Sequence, residues 1–528
     1  MRWKPDFRRM SPYAQAIGWG FLGVAAFAPF SLWPLGMICW AALYLLLRNA
    51  QTKRQAAGIG FSFGLSQFLA GISWVYVSMH DIGGMPMLLS LTATLLFAAY
   101  LAMYPMLAAL CFRLCNGAQH STQSPTSAQI ARPDAGLARP LLFAASWLLA
   151  EWLRGTVFTG FPWLNLGYTQ APPSPLAGFA PIVGAYGLSF ITAWLAGVCA
   201  ELWIRLRNAG WHWSASVTPQ SAIIAALFTS GALLHQAHWT QPEGTPLKVS
   251  LLQGNVPQSM KWQPEQYVQT LLTYFQLARN NPATLIVLPE TAIPSLLSEA
   301  PAEFLQDLQR IGQEQRGNIL MGVPTGENNP TTPTQNWYAN SAVSMGVDPL
   351  QVYNKVHLVP FGEITPPGFG WFLKKINMPL PNFTAGETDQ PLMQLNHQKI
   401  AVNICYEDIF GAAIAQRADE ASLMVNMSNT AWFGDSLAQP QHLQIAQIRA
   451  LENGRPMLRA TNTGMTAVIA PNGERQAVLA AFTRNALVTS VQGMSGRTPY
   501  QRWFDAPTLV LSLVLLGWGL LTRRQRRT

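Results

Sequence analysis

Eight stretches of this 528-residue chain are apolar over lengths close to the roughly 20 residues that a helix needs to cross a bilayer. Composition agrees, because 49% of the residues are hydrophobic and only 11% are charged, which is unusual for a soluble protein. We therefore predict a polytopic α-helical membrane domain with about eight transmembrane helices. The stretches cover residues 14–30, 31–47, 57–79, 86–112, 139–153, 176–204, 219–236 and 505–521.

The distribution of Lys and Arg predicts how these helices are oriented. Of the 17 Lys and Arg outside residues 246–504, all but Arg154 lie where eight helices with a cytoplasmic N-terminus place cytoplasmic loops or ends. Residues 246–504 carry 17 basic and 18 acidic side chains. The formal charge of +9 therefore reflects membrane topology, and we expect no nucleic-acid partner.

These observations predict three regions. Residues 1–245 form a membrane domain with about seven transmembrane helices, residues 246–504 form one extracytoplasmic domain, and residues 505–528 form a last transmembrane helix with a basic cytoplasmic tail. Both termini are then cytoplasmic.

Residues 246–504 alternate short β-branched runs with longer helical patterns, which indicates a layered α/β domain. The predicted strands are Leu247–Gln253, Thr284–Leu288, Asn318–Val323, Ser341–Met345, Leu350–Tyr353, Ile400–Cys405, Leu423–Met427, Met457–Ala460 and Ala467–Ala470. The predicted helices are Pro264–Asn280, Pro301–Arg316, Phe410–Arg417 and His442–Asn453. The Pro-, Thr- and Asn-rich segment Asn328–Asn336 is predicted to be a surface loop.

Cys405 is the one cysteine of five that lies in this polar region, since Cys39, Cys111, Cys115 and Cys199 fall in or beside apolar stretches. Outside the cytoplasm a lone thiol cannot form an internal disulfide. A cysteine at the end of an apolar strand is, taken by itself, more often a packed small hydrophobe than a nucleophile. Its interpretation therefore depends on its neighbours.

Two further reactive side chains follow predicted strands. Glu290 stands in Leu-Pro-Glu290-Thr, and Lys355 stands in Tyr-Asn-Lys355-Val. A thiol needs a nearby base or positive field to become a nucleophile. We predict that Glu290 takes the proton, that Lys355 stabilises the thiolate and the oxyanion, and that Cys405 attacks the substrate.

The motifs Leu-Pro-Glu290-Thr, Tyr-Asn-Lys355-Val-His-Leu-Val-Pro-Phe-Gly-Glu363 and Asn-Ile-Cys405-Tyr-Glu407-Asp, in this order, resemble those of the nitrilase superfamily of carbon-nitrogen hydrolases. With seven apolar runs before this region and one after it, the chain resembles the bacterial apolipoprotein N-acyltransferase family over essentially its full length. The resemblance implies an αββα sandwich beside the membrane helices. It also implies a supporting carboxylate at Glu363, which orients Lys355 or the base, and another required carboxylate at Glu407.

The resemblance further implies a ping-pong reaction in the bacterial inner membrane, with the catalytic domain facing the periplasm. Cys405 would take an acyl chain from the sn-1 ester of a phospholipid, typically phosphatidylethanolamine. The α-amino group of the S-diacylglyceryl cysteine of an apolipoprotein would then receive it. No cofactor or metal is expected, since residues 246–504 contain neither a Cys/His cluster nor a Gly-rich phosphate loop.

Aromatic segments near the membrane supply candidate substrate or lid residues. Phe369, Trp371 and Phe372 follow Glu363, and Trp163 follows the fifth apolar run. Such rings favour the bilayer interface, so they could equally serve as anchors. Trp262 matches a loop position near the pocket of the family and is a further candidate.

Two alternatives remain at this point, and one further motif is set aside. A membrane-tethered amidase or nitrilase that hydrolyses a small amide would use the same three residues, whereas a transporter or receptor would need only the helices. The segment Gly434-Asp-Ser-Leu437 is used by some serine esterases, but the sequence offers the nearby His442 no evident acidic partner.

Overall fold

A computed structural model describes residues 10–116, 135–211, 217–261, 263–327, 337–365, 368, 370–371 and 383–525. The chain divides into two compact units. The residues up to Ala237 and from Arg502 onward form the helical unit, and His238–Gln501 forms the sandwich unit. The short helix Pro499–Trp503 contains the point where the chain passes from one unit to the other.

Every apolar stretch of the sequence contains a helix in the helical unit. The helices are Pro12–Gly23, Pro34–Arg48, Lys53–Gly71, Trp74–Val77, Met87–Asn116, Ala135–Arg154, Ala180–Asn208, Thr218–His235 and Ala506–Gln525. Their core is aromatic: the buried ring of Trp40 packs edge-on against Phe63 at 5.1 Å and against Trp147 at 5.3 Å between ring centroids. Such edge-to-face pairs stabilise the packing beyond simple burial.

The predicted number of eight membrane-spanning helices is not supported. Within the described residues, three helices are long and apolar enough to span a membrane, namely Met87–Asn116, Pro175–Asn208 and Ala506–Gln525. A fourth is added if Lys53–Gly71 and Trp74–Ile82, which are bent by 50°, form one broken span.

The shortfall has local causes. The first apolar stretch yields a helix of only 12 residues, because the chain turns at Val24–Ala26, and the second yields a helix of 15 residues. Both are shorter than the roughly 20 residues that a bilayer requires. The helix Ala135–Arg154 is long enough, but Arg139, Glu151 and Arg154 dilute its apolar character.

The described strands of the sandwich unit are β1 (Gln241–Pro242), β2 (Leu247–Gln253), β3 (Leu285–Val287), β4 (Asn318–Glu327), β5 (Trp337–Gly346), β6 (Gln351–Asn354), β7 (Met393–Leu395), β8 (Gln398–Ile404), β9 (Leu423–Ser428), β10 (Met457–Thr461), β11 (Ala467–Ile469), β12 (Arg475–Val478), β13 (Asn485–Val491) and β14 (Met494–Ser495). Twelve of them form two six-stranded sheets, with strand orders β13-β2-β3-β4-β5-β6 and β12-β11-β10-β9-β8-β7. Strands β2, β3 and β4 run parallel, as do β8, β9 and β10. The short strands β1 and β14 pair with each other.

Alternation along the strands builds three apolar layers. Val249 of β2 and Val402 of β8 belong to the core between the two sheets. Leu252, on the opposite face of β2, packs instead with the helices outside the first sheet. The helices of this unit are Gln258–Lys261, Pro264–Asn280, Ala302–Glu314, Gly411–Ala418 and Ala438–Asn453, the last two of which cover the second sheet.

This arrangement of helix, sheet, sheet and helix is the predicted αββα sandwich. All nine predicted strands and all four predicted helices are present, with their ends shifted by at most four residues. The strands β1, β7, β12, β13 and β14 were absent from the prediction, and the predicted loop Asn328–Asn336 lies outside the described residues. The three motif side chains Glu290, Lys355 and Cys405 follow β3, β6 and β8.

Candidate active site

Cys405 begins a single 3-10 turn, Cys405–Ile409, directly after β8. Its side chain is only 8% exposed, and its backbone φ of +53° lies in the left-handed region. A residue other than glycine avoids this region unless its surroundings hold it there. The sharp turn ends the strand at the thiol, which is where a nucleophile is needed.

The backbone around Cys405 is held by buried side chains. The N–H of Ile404 donates to Glu407 at 2.6 Å, and the amide nitrogen of Asn426 donates to the carbonyl oxygen of Cys405 at 3.2 Å. Asn426 in turn accepts from Arg459 at 2.9 Å. These contacts offset the cost of the positive φ, which is of order 1–3 kcal/mol.

His442 has an acidic partner that the sequence analysis did not foresee. Its Nε2 lies 2.6 Å from Asp408, which also accepts from Arg459 at 2.8 Å. Burial lowers the pKa of His442, and the guanidinium of Arg459 lowers it further, whereas Asp408 raises it. The expectation that His442 lacks such a partner was therefore wrong, because Asp408 comes from the Cys405 turn and not from a neighbouring motif. Ser436 of the esterase-like segment accepts from the N–H of Ala438 at 3.3 Å.

The carboxylates of Glu290 and Glu363 share one ammonium and one amide. Nζ of Lys355 lies 3.3 Å from Oε1 of Glu290 and 2.9 Å from the carboxylate of Glu363. The amide nitrogen of Asn340, in β5, donates to both carboxylates at 2.7 Å. Two backbone N–H groups complete the cluster, from Asn429 to Glu290 at 2.7 Å and from Val359 to Glu363 at 2.8 Å.

The electrostatics of this cluster favour charged Glu290 and charged Lys355. Burial alone would raise the pKa of Glu290, but Lys355, Lys261 and the two hydrogen-bond donors lower it overall. Burial alone would lower the pKa of Lys355, but Glu363, Glu290 and Cys405 raise it above its ordinary value. Each charge is thus maintained by its neighbours despite the loss of solvent.

The thiol of Cys405 is protonated at rest. Burial raises its pKa, as do the charges of Glu290 and Glu363, and Lys355 opposes them. The free site therefore contains the thiol form of Cys405, and the thiol proton must leave as the sulfur attacks. Glu290, which is ionised, is able to accept that proton.

Glu407 connects the cysteine turn to the segment that carries Lys355. Besides Ile404, it accepts from the N–H of Val356 at 2.7 Å, from the N–H of His357 at 3.2 Å and from the hydroxyl of Tyr353 at 2.9 Å. Burial raises the pKa of Glu407, whereas these backbone hydrogen bonds and Lys355 lower it. Its contacts therefore hold the two segments together.

The structure places the remaining candidates in different settings. Trp163 lies in the helical unit and is 1% exposed, with its ring 5.0 Å from that of Trp74 between centroids. Trp371 is 68% exposed. Trp262, Phe369 and Phe372 lie outside the described residues.

Sequence reasoning missed two residues that contact Glu290. One is Asn340, in the interior of β5, and the other is Lys261, whose Nζ donates to the backbone carbonyl of Glu290 at 3.2 Å. Neither belongs to a motif that follows a strand, so no local signal marked them. Among the described residues, no group of three or more His, Cys, Asp or Glu side chains could hold a metal ion.

Comparison with known proteins extends over both units. Residues 19–198 match the model of the apolipoprotein N-acyltransferase N-terminal domain, and residues 248–500 match that of the carbon-nitrogen hydrolases. The chain is 44% identical to an apolipoprotein N-acyltransferase from Nitrosomonas europaea, with 98% of this chain and 99% of that protein covered. It is also 44% identical to one from Ralstonia nicotianae (96% and 92% covered) and 40% identical to one from Chromobacterium violaceum (94% and 92% covered).

Proposed function

This chain belongs to the apolipoprotein N-acyltransferase family and is an acyltransferase of lipoprotein maturation, and we propose that Cys405 carries the transferred acyl group as a thioester. The donor is the sn-1 ester of a phospholipid, typically phosphatidylethanolamine. The acceptor is the α-amino group of the S-diacylglyceryl cysteine of an apolipoprotein. One observation supports the proposal: the buried thiol of Cys405, at a strained strand end, is under the electrostatic influence of the Glu290 and Glu363 carboxylates and of the Lys355 ammonium.

In the first half-reaction, the sulfur of Cys405 forms a bond to the sn-1 carbonyl carbon while Glu290 accepts the thiol proton. Lys355 stabilises the negative charge that develops on the carbonyl oxygen. The bond between the carbonyl carbon and the ester oxygen then breaks. Glu290 returns the proton to that oxygen, so lysophospholipid leaves as a neutral alcohol.

In the second half-reaction, the neutral α-amino group attacks the thioester carbonyl. Glu290 accepts a proton from the nitrogen, the carbon–sulfur bond breaks, and the proton returns to the sulfur of Cys405. The product is an amide, and the thiol is restored. The same base and the same cation therefore serve both halves, which need no external oxidant or reductant.

Glu363 and Glu407 support these groups without entering the reaction. Glu363 orients Lys355 through their 2.9 Å ion pair, and Glu407 fixes the backbone on either side of the site. We also propose that exposed Trp371, which follows Glu363 in the chain, contacts lipid substrate. Trp371→Ser should then slow turnover of phospholipid in vesicles while leaving reaction of Cys405 with a small soluble alkylating reagent unchanged.

We propose a location in the bacterial inner membrane, with both termini in the cytoplasm and the sandwich unit in the periplasm. The positions of Lys and Arg in the sequence support this orientation. Both substrates are lipid-anchored, so a membrane-bound enzyme meets them without extracting either from the bilayer.

Intact mass spectrometry tests the thioester directly. The full-length protein in detergent is incubated with phosphatidylethanolamine, and the Cys405→Ala variant is the control. We expect a hydroxylamine-sensitive acyl mass on Cys405 that is absent from the variant and is discharged by a diacylated lipopeptide. If a folded, thiol-reactive protein gains no acyl mass from any phospholipid but hydrolyses small amides, the membrane-tethered amidase is the correct alternative.

A further inference from the structure

Lys261 is a second buried lysine beside Glu290. It ends the short helix Gln258–Lys261 after β2, is only 3% exposed, and donates from Nζ to the carbonyl oxygen of Glu290 at 3.2 Å. Gln258, in the same helical turn, accepts from the side chain of Asn429 at 2.7 Å, and the N–H of Asn429 binds Glu290 at 2.7 Å. One turn of helix thus reaches Glu290 both directly and through Asn429.

The charges of the site show why a second cation matters. Glu290 and Glu363 contribute two negative charges, and Lys355 contributes one positive charge. With these three alone, the site would hold a net negative charge before any charge developed on sulfur or on the substrate oxygen. A like charge nearby disfavours an additional anion in a buried site. Lys261 brings the sum of the four groups to zero.

We propose that Lys261 is a positioning residue that balances the second carboxylate, so that negative charge can develop on the Cys405 sulfur and on the substrate oxygen. The inference rests on the function proposed above for the same site and assigns it one additional residue. Lys261 acts through Glu290 and Cys405. It is distinct from Lys355, which contacts both Glu290 and Glu363.

The titration of Lys261 makes this role measurable. Burial lowers the pKa of Lys261 to about 8 overall, although the neighbouring Glu290 carboxylate and Cys405 thiol partly oppose that shift. Lys355 and Glu363 are linked to it through Glu290 and Asn340. The Lys261 side chain is therefore mostly a charged ammonium at pH 7 and mostly a neutral amine at pH 9. Its electrostatic effect on the reactivity of Cys405 should decrease across this interval.

The test is the rate of Cys405 alkylation by iodoacetamide between pH 6.5 and pH 10, measured by peptide mass mapping on the full-length protein in detergent. Lys261→Met removes the charge, Lys261→Arg keeps it at every pH in the range, and Lys399→Met is the matched control, since Lys399 is half exposed on β8. The reagent needs no phospholipid. A failure of this proposal is therefore distinguishable from a failure of acyl transfer.

We expect Lys261→Met to react about tenfold more slowly than the wild type at pH 7, which corresponds to roughly one pKa unit of the thiol. The difference should shrink above pH 9, where wild-type Lys261 is itself neutral. Lys261→Arg should match the wild type at pH 7 and exceed it above pH 9. A Lys261→Met profile that parallels the wild type at every pH would overturn the proposal. If that variant does not fold, a Lys261→Arg profile that parallels the wild type throughout would do the same.

Discussion

Both compact units bury a carboxylate beside a cation, but they use the pair differently. In the helical unit, Glu151 and Arg154 approach to 4.0 Å on one helix. Glu151 accepts from the indole of Trp147 at 2.9 Å and from the N–H of Leu166 at 2.8 Å, while Arg154 donates to Asn165 at 2.7 Å. Arg154 also donates to the carbonyl oxygens of Phe161 and Trp163.

These contacts tie the chain between residues 161 and 166 to the preceding helix, and none of the named partners is a nucleophile. In the sandwich unit, by contrast, Glu290 and Lys355 both act electrostatically on a buried thiol. Burial of an ion pair is therefore not in itself a sign of catalysis. What distinguishes the two pairs is the reactive group within their field.

The largest effect is expected on the rate of acyl transfer, when the Glu290 carboxylate of the catalytic pair is replaced. Glu290→Gln keeps the size and an oxygen acceptor but cannot take a proton, so thioester formation should slow by about 10³-fold, within the range usual for loss of a general base. The measurement is the single-turnover rate of acyl-enzyme formation, with exposed Glu265→Gln as the control. A loss below tenfold in a folded variant would mean that another group takes the proton.

The pair in the helical unit should affect stability instead. Arg154→Met leaves Glu151 buried without its cation, which typically costs about 3–5 kcal/mol. The thermal midpoint in detergent should fall, and the double variant Glu151→Leu/Arg154→Met should recover much of the loss, because both charges are removed together. An unchanged midpoint in the single variant, with loss of acyl-enzyme formation alone, would break the distinction drawn between the two units.

The sequence was sufficient to predict the site residues that lie just after the end of a strand. The strands before Glu290, Lys355 and Cys405 end within about one residue of their predicted positions. Asn340 could not be found in this way. Its amide reaches Glu290, 50 residues away in the chain, because β5 pairs with β4, and β4 pairs with the strand β3 that precedes Glu290.

For the helices of the helical unit, the sequence predicted the positions but not the ends. Apolar stretches located the helices, but hydrophobicity did not reveal where a helix stops. The turn at Val24–Ala26 and the bend after Gly71 shorten or break stretches whose composition is largely apolar on both sides of the break. In the sandwich unit, strand β13 was also missed. Its exposed and buried residues alternate irregularly, and its partner β2 lies more than 200 residues earlier in the sequence.

A moderate effect is expected at Glu407, which supports the site without belonging to its proton path. Glu407→Gln removes the negative charge that accepts from Ile404, Val356 and Tyr353. Hydrogen bonds to charged groups contribute about 1.5–3 kcal/mol each, and the amide oxygen retains part of this, so we expect a stability loss of about 2 kcal/mol. Chemical denaturation measures the loss. A variant as stable as the wild type would show that Tyr353 and the backbone donors find other partners.

The smallest effect concerns the dependence of stability on pH, where Glu290 and Glu407 should act with opposite signs. The pKa of Glu290 is lowered in the fold, so its contribution is present above its unfolded pKa and is lost as pH falls through the folded value. The pKa of Glu407 is raised, so its contribution is present below its unfolded pKa and is lost as pH rises through the folded value.

Thermal midpoints from pH 3 to pH 7 should therefore show a shallower acid loss in Glu290→Gln than in the wild type. In Glu407→Gln, the midpoint should rise more steeply with pH above the ordinary carboxyl range. Glu265→Gln, the exposed control, provides the reference for both curves. If both variants flattened the acid loss equally, the pKa of Glu407 would be lowered in the fold like that of Glu290, and the opposite signs expected here would be wrong. The contrast between a carboxylate held charged beside a thiol and one held by backbone donors would then no longer stand.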